Sequence, residues 1–274
     1  MIIDGHRHLA GDPEAIIREM DALGIDRTVL VGVGVKDLSF VSVRWSPVFR
    51  SHLLTWALGS IKGAIISRRL RKANQLLEVP GNGPVLAAIR QYPDRFYGFA
   101  FINPGHPDAL VEARRCLDNG MRGLKFALLQ YPAPITGSVM HELCSLAEEY
   151  RVPVFIHIGI LHSTYCFEEL VRDFPAVRFI IAHAGAQRFW RSLLRGKDFD
   201  NVFFDLSSYY VTVPKMRQLL RTVGPRKLLF GSDVPVMADS PSQALAMIRS
   251  LGLSVNDEQA ILGENLGAFL KNKN

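Results

Sequence analysis

Cysteine is scarce in this sequence, and the three cysteines present follow no recognisable pattern. Cys116, Cys144 and Cys166 are widely spaced and odd in number, whereas disulfide frameworks and cysteine-based zinc sites need paired, regularly spaced cysteines. Isolated reduced thiols are typical of a cytosolic protein. The chain also begins directly with Met1-Ile2-Ile3-Asp4, which leaves no room for the basic and apolar regions of a secretory signal. We therefore expect a cytoplasmic protein.

Long apolar runs and nucleic-acid-binding motifs are missing as well. The longest apolar stretch, residues 52–67, is interrupted by Lys62 and by glycines, so it is too short to span a bilayer. The formal net charge is +6, from 32 Lys and Arg against 26 Asp and Glu, but the basic residues form no stripe with interleaved aromatic residues. We expect neither a membrane nor a nucleic acid as partner. The basic surplus is then either a solvated surface or a means of attracting an anionic substrate.

Short apolar runs, rich in β-branched and aromatic residues, alternate with longer amphipathic stretches along the whole chain. Nearly continuous apolar runs indicate parallel strands that are buried on both faces. Their alternation with helices predicts either a closed (β/α)8 TIM barrel or a doubly wound open sheet. Gly32-Val33-Gly34 lacks the third glycine of a dinucleotide-binding turn, which favours the barrel, with residues 1–274 forming one domain. The predicted strands are residues 1–3, 28–33, 97–102, 123–126, 154–157, 178–182, 202–206 and 227–230.

One segment does not fit this alternation. Residues 35–83 form an insertion after the second predicted strand, far longer than an ordinary connection. The insertion contains apolar helical stretches and a basic cluster at 68–72. Because such connections emerge on the catalytic face of a barrel, the segment is either a lid or a dimer surface there, or a helical hairpin packed on the outside. We also expect a homodimer.

Two histidines, His6 and His8, stand two residues apart on the first predicted strand. Side chains at this spacing point to the same side of a strand, so both imidazoles can approach one ion. Imidazole suits zinc, iron and other borderline metals. Taken alone, such a pair is more often two partly exposed loop histidines than a metal site.

Three further ionisable residues fall at the carboxyl ends of predicted strands. His157 ends the fifth strand, His183 follows the sixth, and Asp233 follows the eighth through a Gly-Ser turn. Barrel enzymes assemble their active sites at that end of the strands. Five residues in equivalent positions are hard to explain as independent accidents, so the sequence predicts one metal-dependent site at the mouth of the barrel.

The order of these motifs resembles the amidohydrolase superfamily. More narrowly, the chain is similar to the amidohydrolase-related branch that includes aminocarboxymuconate semialdehyde decarboxylase, resorcylate-type decarboxylases and dicarboxylate lactonases. The similarity extends from Ile3 to about Leu270 and is specific for the family, although it does not select one reaction. The motifs are Asp4-x-His6-x-His8, His157, His183-Ala184-Gly185, Gly231-Ser232-Asp233 and the closing Gly263-Glu264-Asn265.

The resemblance implies a set of metal ligands. His6, His8, His157 and Asp233 are predicted to bind one divalent ion, zinc or alternatively manganese or iron, with water in an open position. Asp233 is also predicted to take a proton from that water. His183 would lie beside the ion as a base or as a group that stabilises developing charge.

Other residues are predicted to support this site. Asp4 would accept a hydrogen bond from the second ring nitrogen of a ligand histidine. Lys125 ends the fourth strand, where binuclear relatives carry a carboxylated lysine between two metals. Because the narrower branch is mostly mononuclear, Lys125 is predicted to bind a substrate carboxylate rather than a second ion.

Four more residues are candidates for the substrate pocket. Arg188 and Arg191 follow the sixth strand and either clamp a carboxylate or belong to the solvated surface. His162 and Tyr209 follow the fifth and seventh strands and are predicted to line the pocket. The expected substrate is a small molecule, and the arginines favour an anionic one.

Three functions remain open at this point. The first is metal-dependent hydrolysis of a C–N or C–O bond in a small carbonyl or carboxylate compound. The second is metal-dependent, non-oxidative decarboxylation of an aromatic or enoic acid, which uses the same ligands. The third, from another class, is a catalytically silent barrel that acts as a binding protein. Loss of one candidate residue would favour the third function, but all of them are present.

Overall fold

The computed structural model describes most of the chain, with gaps. The described residues are 1–34, 54, 57, 61, 79–128, 130–131, 133–157, 167–188 and 197–270, and the side chains of residues 186–188 are not included. Most of the predicted insertion 35–83 lies outside this part, so its role as a lid or a dimer surface stays a prediction. In the described part, no helix is long and apolar enough to cross a membrane.

Eight parallel strands form a single sheet in chain order. Each strand pairs in parallel with the next along the chain, as expected when a helical segment connects every pair of neighbours. The strands are β1 (Ile3–His8), β2 (Arg27–Val31), β3 (Phe96–Ile102), β4 (Leu124–Ala127), β5 (Val154–His157), β6 (Phe179–Ile181), β7 (Val202–Asp205) and β8 (Leu228–Leu229).

The first and last strands close the sheet into a barrel. The Gly5 amide donates to the Phe230 carbonyl at 2.9 Å, and the His8 amide donates to the Val234 carbonyl at 2.9 Å. Arg7 and Val234 also form a parallel bridge. These bonds exclude an open doubly wound sheet, and the predicted TIM barrel is confirmed.

Helices alternate with the strands on the outside. The first helix shows typical end signals: the Asp12 side chain accepts from the Glu14 amide, Pro13 begins the helix, and Gly24 ends it at φ 68°. The helices are α1 (Pro13–Leu23), α2 (Asn82–Gln91), α3 (Ala109–Asp118), α4 (Ser138–Glu149), α5 (Phe167–Asp173), α6 (Val213–Val223), α7 (Pro241–Arg249), α8 (Val255–Gln259) and α9 (Asn265–Leu270). Short 3-10 turns cover Ala182–Arg188 and Pro225–Lys227, and a π-helical turn covers Ala260–Glu264.

The strands separate two hydrophobic cores. Along β3, Phe99 and Phe101 pack inside the barrel, whereas Ala100 and Ile102 pack against the surrounding helices. This alternation explains why the strands read as continuous apolar runs, since both faces are buried. Leu266 and Phe269 of α9 join the inner core.

A tight backbone approach lies where β8 leaves the barrel. Gly231 follows the last strand, and a Cβ at this position would overlap the Asp205 carboxylate and lie 2.9 Å from the His6 Cβ. A glycine is therefore required here for the two ends of the barrel to meet.

We expect Gly231→Ala to lower the free energy of unfolding by about 1–3 kcal/mol, because an added methyl group must displace buried neighbours. Urea unfolding would measure the change. Gly83→Ala is the control, since a Cβ there has nothing within 4 Å. Equal unfolding midpoints for Gly231→Ala and the wild-type protein would contradict this close approach.

Candidate metal centre

A cluster of buried histidines and aspartates occupies the carboxyl end of the barrel. His6 and His8 belong to β1, His183 follows β6, Asp205 ends β7, and Asp233 follows β8. All five are buried, and His8 is the most exposed at 7%. They form two overlapping groups whose nitrogen and oxygen atoms can hold a metal ion, His6-His8-Asp233 and His6-His183-Asp205.

The Asp233 carboxylate lies at the centre of this cluster. Its Oδ1 is 3.4 Å from His6 Nε2 and 3.3 Å from His8 Nε2, and its Oδ2 is 3.5 Å from His183 Nε2. These distances exceed the usual range for a hydrogen bond to nitrogen, about 2.7–3.2 Å. Among the described residues, the buried Oδ1 has no hydrogen-bond partner. A buried carboxylate oxygen without a hydrogen-bond donor destabilises the folded state. A cation bound beside Oδ1 would remove this penalty.

The spacing of these atoms fits a shared ion. Donor atoms around a tetrahedral zinc, with bonds of about 2.0–2.1 Å, lie roughly 3.3–3.4 Å from one another. The observed separations of 3.3, 3.4 and 3.5 Å match this value. The residues present therefore fit a divalent metal, and three imidazole nitrogens with one carboxylate are donors that zinc accepts.

Backbone geometry fixes the position of Asp233. This residue adopts a left-handed conformation with φ 60°, which is uncommon for residues other than glycine. Its amide donates to the His6 carbonyl at 2.6 Å. The preceding Ser232 is bound through its amide (2.9 Å) and its hydroxyl (2.6 Å) to the Asp4 carboxylate. Such strain persists only where the surroundings hold it, and these bonds hold it here.

The structure corrects the predicted partner of Asp4. Instead of accepting from an imidazole nitrogen, its carboxylate accepts from Ser232 and from the His6 backbone amide at 3.2 Å. The prediction assumed strict alternation of side chains along β1. A bulge between Asp4 and Arg7 interrupts that alternation and re-aims the side chains beside it. Asp4 therefore supports the loop that carries Asp233 rather than a ligand ring.

Other groups bind the second nitrogen of each imidazole. His8 Nδ1 lies 2.9 Å from the Gly32 carbonyl oxygen. Because a carbonyl only accepts, His8 carries its proton on Nδ1 and presents the Nε2 lone pair to Asp233. His6 Nδ1 lies near Asp205 Oδ2 (3.2 Å) and Ser207 Oγ (3.0 Å). Asp205 is absent from the ligand set that the resemblance implies.

Ser207 is not among the residues predicted from the sequence, and Ser232 is predicted only as part of the Gly231-Ser232-Asp233 motif, without a role of its own. Ser207 Oγ contacts both His6 and His183, and Ser232 anchors Asp4. The available signal was their position within two residues of a strand end or a predicted ligand. Serine is common at such turns, so the signal does not distinguish these residues from ordinary turn serines.

Lys125 projects from β4 into the same cluster. Its Nζ lies 3.1 Å from His6 Nε2 and 3.7 Å from the centroid of the Phe155 ring. Burial lowers the pKa of Lys125 to about 7, although the charges of Asp233 and Asp205 oppose the shift. Lys125 therefore contacts the imidazole cluster directly, and its binding of a substrate carboxylate stays a prediction.

The charge states suit metal binding. Burial, assisted by Lys125, lowers the pKa of His6 to about 4. Burial also lowers the pKa of His183 and, more strongly, of His157. For Asp233, burial alone would raise the pKa, but the charges of His6 and His183 outweigh it and hold the pKa below the usual value. Near neutral pH the imidazoles of His6, His157 and His183 are thus neutral and the Asp233 carboxylate is ionised, which are the forms that bind metals.

The remaining predicted residues are placed less completely. His157 ends β5, and its ring lies edge-on to that of His183 with centroids 4.8 Å apart. The two candidate groups of the described residues do not include His157, so its role as a ligand stays a prediction. Tyr209 is partly buried, with its ring 4.9 Å from that of Tyr210. Arg191, His162 and the side chain of Arg188 lie outside the described part.

Comparison with known proteins identifies the family. Residues 67–270, most of the chain, match the family model described as Amidohydrolase. The chain belongs to the amidohydrolase family. This finding confirms the resemblance inferred from the strand-end motifs. No curated protein sequence matches the chain at a significant level.

Solved structures share the fold of this amidohydrolase over nearly the full chain. A probable 2-pyrone-4,6-dicarboxylic acid hydrolase from Acinetobacter baumannii has 16% sequence identity and a TM-score of 0.65, with 98% of each chain covered. A 2,6-dihydroxybenzoate decarboxylase from Rhizobium has 15% identity and a TM-score of 0.63, also with 98% of each chain covered. A 4-oxalomesaconate hydratase from Rhodopseudomonas palustris has 16% identity and a TM-score of 0.64, with 98% of this chain and 95% of that chain covered.

We expect metal to stabilise the fold through His6. Zinc added to metal-stripped protein at a hundred times its Kd should raise the free energy of unfolding by about 2.7 kcal/mol, and His6→Ala should remove most of this increase. Thermal unfolding with and without zinc would measure it. His141→Ala is the control, because His141 is paired with Asp173 on the surface. Equal zinc-induced stabilisation of His6→Ala and the wild-type protein would show that the ion binds elsewhere.

Proposed function

We propose that this amidohydrolase hydrolyses a C–N or C–O bond in a small carbonyl or carboxylate compound. The observation that carries this proposal is the Asp233 carboxylate. One oxygen faces two imidazole nitrogens without a hydrogen-bond donor, while the other faces His183. A single carboxylate with these surroundings can bind an ion through one oxygen, and it can accept and return a proton through the other.

We assign His6, His8, His157 and Asp233 as ligands of one divalent ion. Zinc is proposed because Asp233 Oδ1 lies as far from His6 Nε2 and His8 Nε2 as two donors of a tetrahedral ion lie from each other, and manganese or iron are the alternatives that metal analysis would identify. When bound, such an ion supplies a water of lowered pKa and polarises a substrate carbonyl. We propose that the site holds no second ion. Lys125, whose counterpart is carboxylated in binuclear relatives, directs its amine at His6.

Proton transfer is assigned to Asp233 and His183. Asp233 is ionised, and its Oδ2 lies 3.5 Å from His183 Nε2, so a proton accepted by the carboxylate has an adjacent site on the imidazole. Asp233 takes the proton of the attacking water and returns it to the leaving group. His183 stabilises the charge that develops beside it.

Substrate binding is assigned to three basic residues. The Lys125 amine, fully buried against Phe155, is proposed to bind a carboxylate, and Arg188 and Arg191 are proposed to attract it. His162 and Tyr209 remain proposed pocket residues. An anionic small molecule suits this charge.

A second candidate function is non-oxidative decarboxylation of an aromatic or enoic acid. The position of Lys125 over an aromatic ring favours it, because the same amine can hold a carboxylate against an apolar wall. A decarboxylase is also among the structures that share this fold. The third candidate, a silent binding barrel, is not favoured because His6, His8, His183 and Asp233 are all present and meet in one cluster.

We expect Asp233→Asn to leave the fold intact and to lower turnover by about 10²–10⁴-fold. Asparagine tolerates the left-handed backbone at this position, but its amide cannot accept the proton. The assay offers lactones, amides and aromatic acids to the zinc-loaded protein and measures released acid, amine or CO₂.

The control is Asp94→Asn, whose side chain is 94% exposed at a surface ion pair. Release of CO₂ without any hydrolytic product would replace hydrolysis with decarboxylation. Near-normal turnover by Asp233→Asn would contradict the proton-transfer role. Purified protein that binds less than a tenth of an equivalent of transition metal would favour the silent barrel.

A further inference from the structure

A single hydroxyl group contacts two imidazoles of the candidate metal centre. Ser207 Oγ lies 3.0 Å from His6 Nδ1 and 2.9 Å from His183 Nδ1. The same oxygen makes a short hydrogen bond to Asp205 Oδ2. Ser207 is fully buried. Three polar atoms therefore compete for one hydroxyl hydrogen.

The surroundings of Asp205 decide where that hydrogen lies. The Asp205 carboxylate accepts from two backbone amides, that of His183 (3.1 Å to Oδ2) and that of Ser207 (3.1 Å to Oδ1). Backbone amides only donate, so the carboxylate acts as an acceptor on both oxygens. If the Ser207 hydrogen pointed elsewhere, its Oγ and Asp205 Oδ2 would face each other at short range with no proton between them. The hydroxyl therefore donates to Asp205.

With its hydrogen used, Ser207 Oγ has only lone pairs for the two imidazoles. A hydroxyl oxygen has two acceptor lone pairs, and the two Nδ1 atoms take both. Each imidazole must then carry its proton on Nδ1. We infer that Ser207 is a positioning residue that sets the tautomer of both His6 and His183, so that each presents an unprotonated Nε2 to Asp233.

A second contact supports this assignment for His6. Lys125 Nζ lies 3.1 Å from His6 Nε2, within reach for its N–H groups to donate. A hydrogen bond donated by Lys125 requires an unprotonated His6 Nε2, which places the ring proton on Nδ1. Together with His8, whose tautomer is set by the Gly32 carbonyl, all three imidazoles have an unprotonated Nε2 beside the same carboxylate.

This tautomer limits the roles that His183 can take at the start of the reaction. With Nε2 unprotonated, His183 begins as a proton acceptor or a metal ligand, and it does not begin as a hydrogen-bond donor to the substrate. The tautomers of the His6 and His183 rings also depend on Ser207 to different degrees. His6 Nδ1 retains Asp205 Oδ2 at 3.2 Å if Ser207 is removed, whereas Asp205 Oδ2 lies 3.7 Å from His183 Nδ1, beyond hydrogen-bond distance.

The test is the ring-nitrogen NMR spectrum of metal-free protein with ¹⁵N-labelled histidine. In the wild-type protein we expect both rings to show protonated Nδ1 and unprotonated Nε2. In Ser207→Ala we expect His183 to become a mixture of tautomers, while His6 keeps its proton on Nδ1. Ser208→Ala, a neighbouring buried serine that binds the Tyr210 amide, should leave both rings unchanged. Loss of a signal in His183→Gln assigns it to His183.

Two outcomes would overturn the inference: a wild-type His183 protonated on Nε2, or a Ser207→Ala protein whose His183 stays wholly in the Nδ1 form. The wild-type spectrum tests the tautomer of His183 even if the Ser207→Ala protein does not fold.

The expected effect of Ser207 on zinc affinity rests on the proposed function. Zinc Kd, measured by competition with a chelator, should rise about 10–100-fold in Ser207→Ala, and a change below twofold would remove that link. The spectra need no ion and no turnover, so they stand if the proposed reaction is wrong.

Discussion

Closure of the barrel between β1 and β8 is the constraint on which the rest of the site depends. The peptide groups of residues 5–8 and 230–234 bond across this seam, and the Asp4 carboxylate reinforces it through Ser232. The seam brings His6 and His8, from the first strand, against Asp233, which follows the last. The glycine at 231 permits the approach, because any side chain there would strike the Asp205 carboxylate. Fold and site are therefore fixed by the same few bonds.

The site gathers groups that a protein interior ordinarily excludes. Asp4, Asp205 and Asp233 are all buried, as are three imidazoles and the Lys125 side chain. Burying a charge is expensive unless it is paired or fully hydrogen-bonded. Asp205 meets this requirement with backbone amides, a hydroxyl and an imidazole. Asp233 does not, and it is also held in a left-handed conformation. The hydrogen bonds of Asp205 thus compensate its burial, whereas Asp233 keeps one carboxylate oxygen available to a cation.

Much of this arrangement is predictable from the sequence, for a definite reason. A polar residue at the end of a continuous apolar run reveals its place, because parallel strands in a barrel all end on the same side. His6, His183 and Asp233 were found in this way, and so was the barrel. The partners of these residues could not be found. The bulge in β1 changes the direction of Asp4, and Ser207 gains its contacts only when β7 lies beside β1 and β6 in space. Contacts of this kind depend on angles and tenths of an ångström, which spacing along a chain does not contain.

The seam between β1 and β8 also sets an order of events during synthesis. Ser232 lies 226 residues after His6, so a growing chain exposes two histidines long before their carboxylate partner is made. At about 5–20 residues per second, this interval lasts on the order of ten seconds or more. A nascent chain thus offers a bare pair of imidazoles, which any imidazole-binding metal can occupy weakly. The candidate site is complete only in the finished barrel, after Asp233 has joined the first strand.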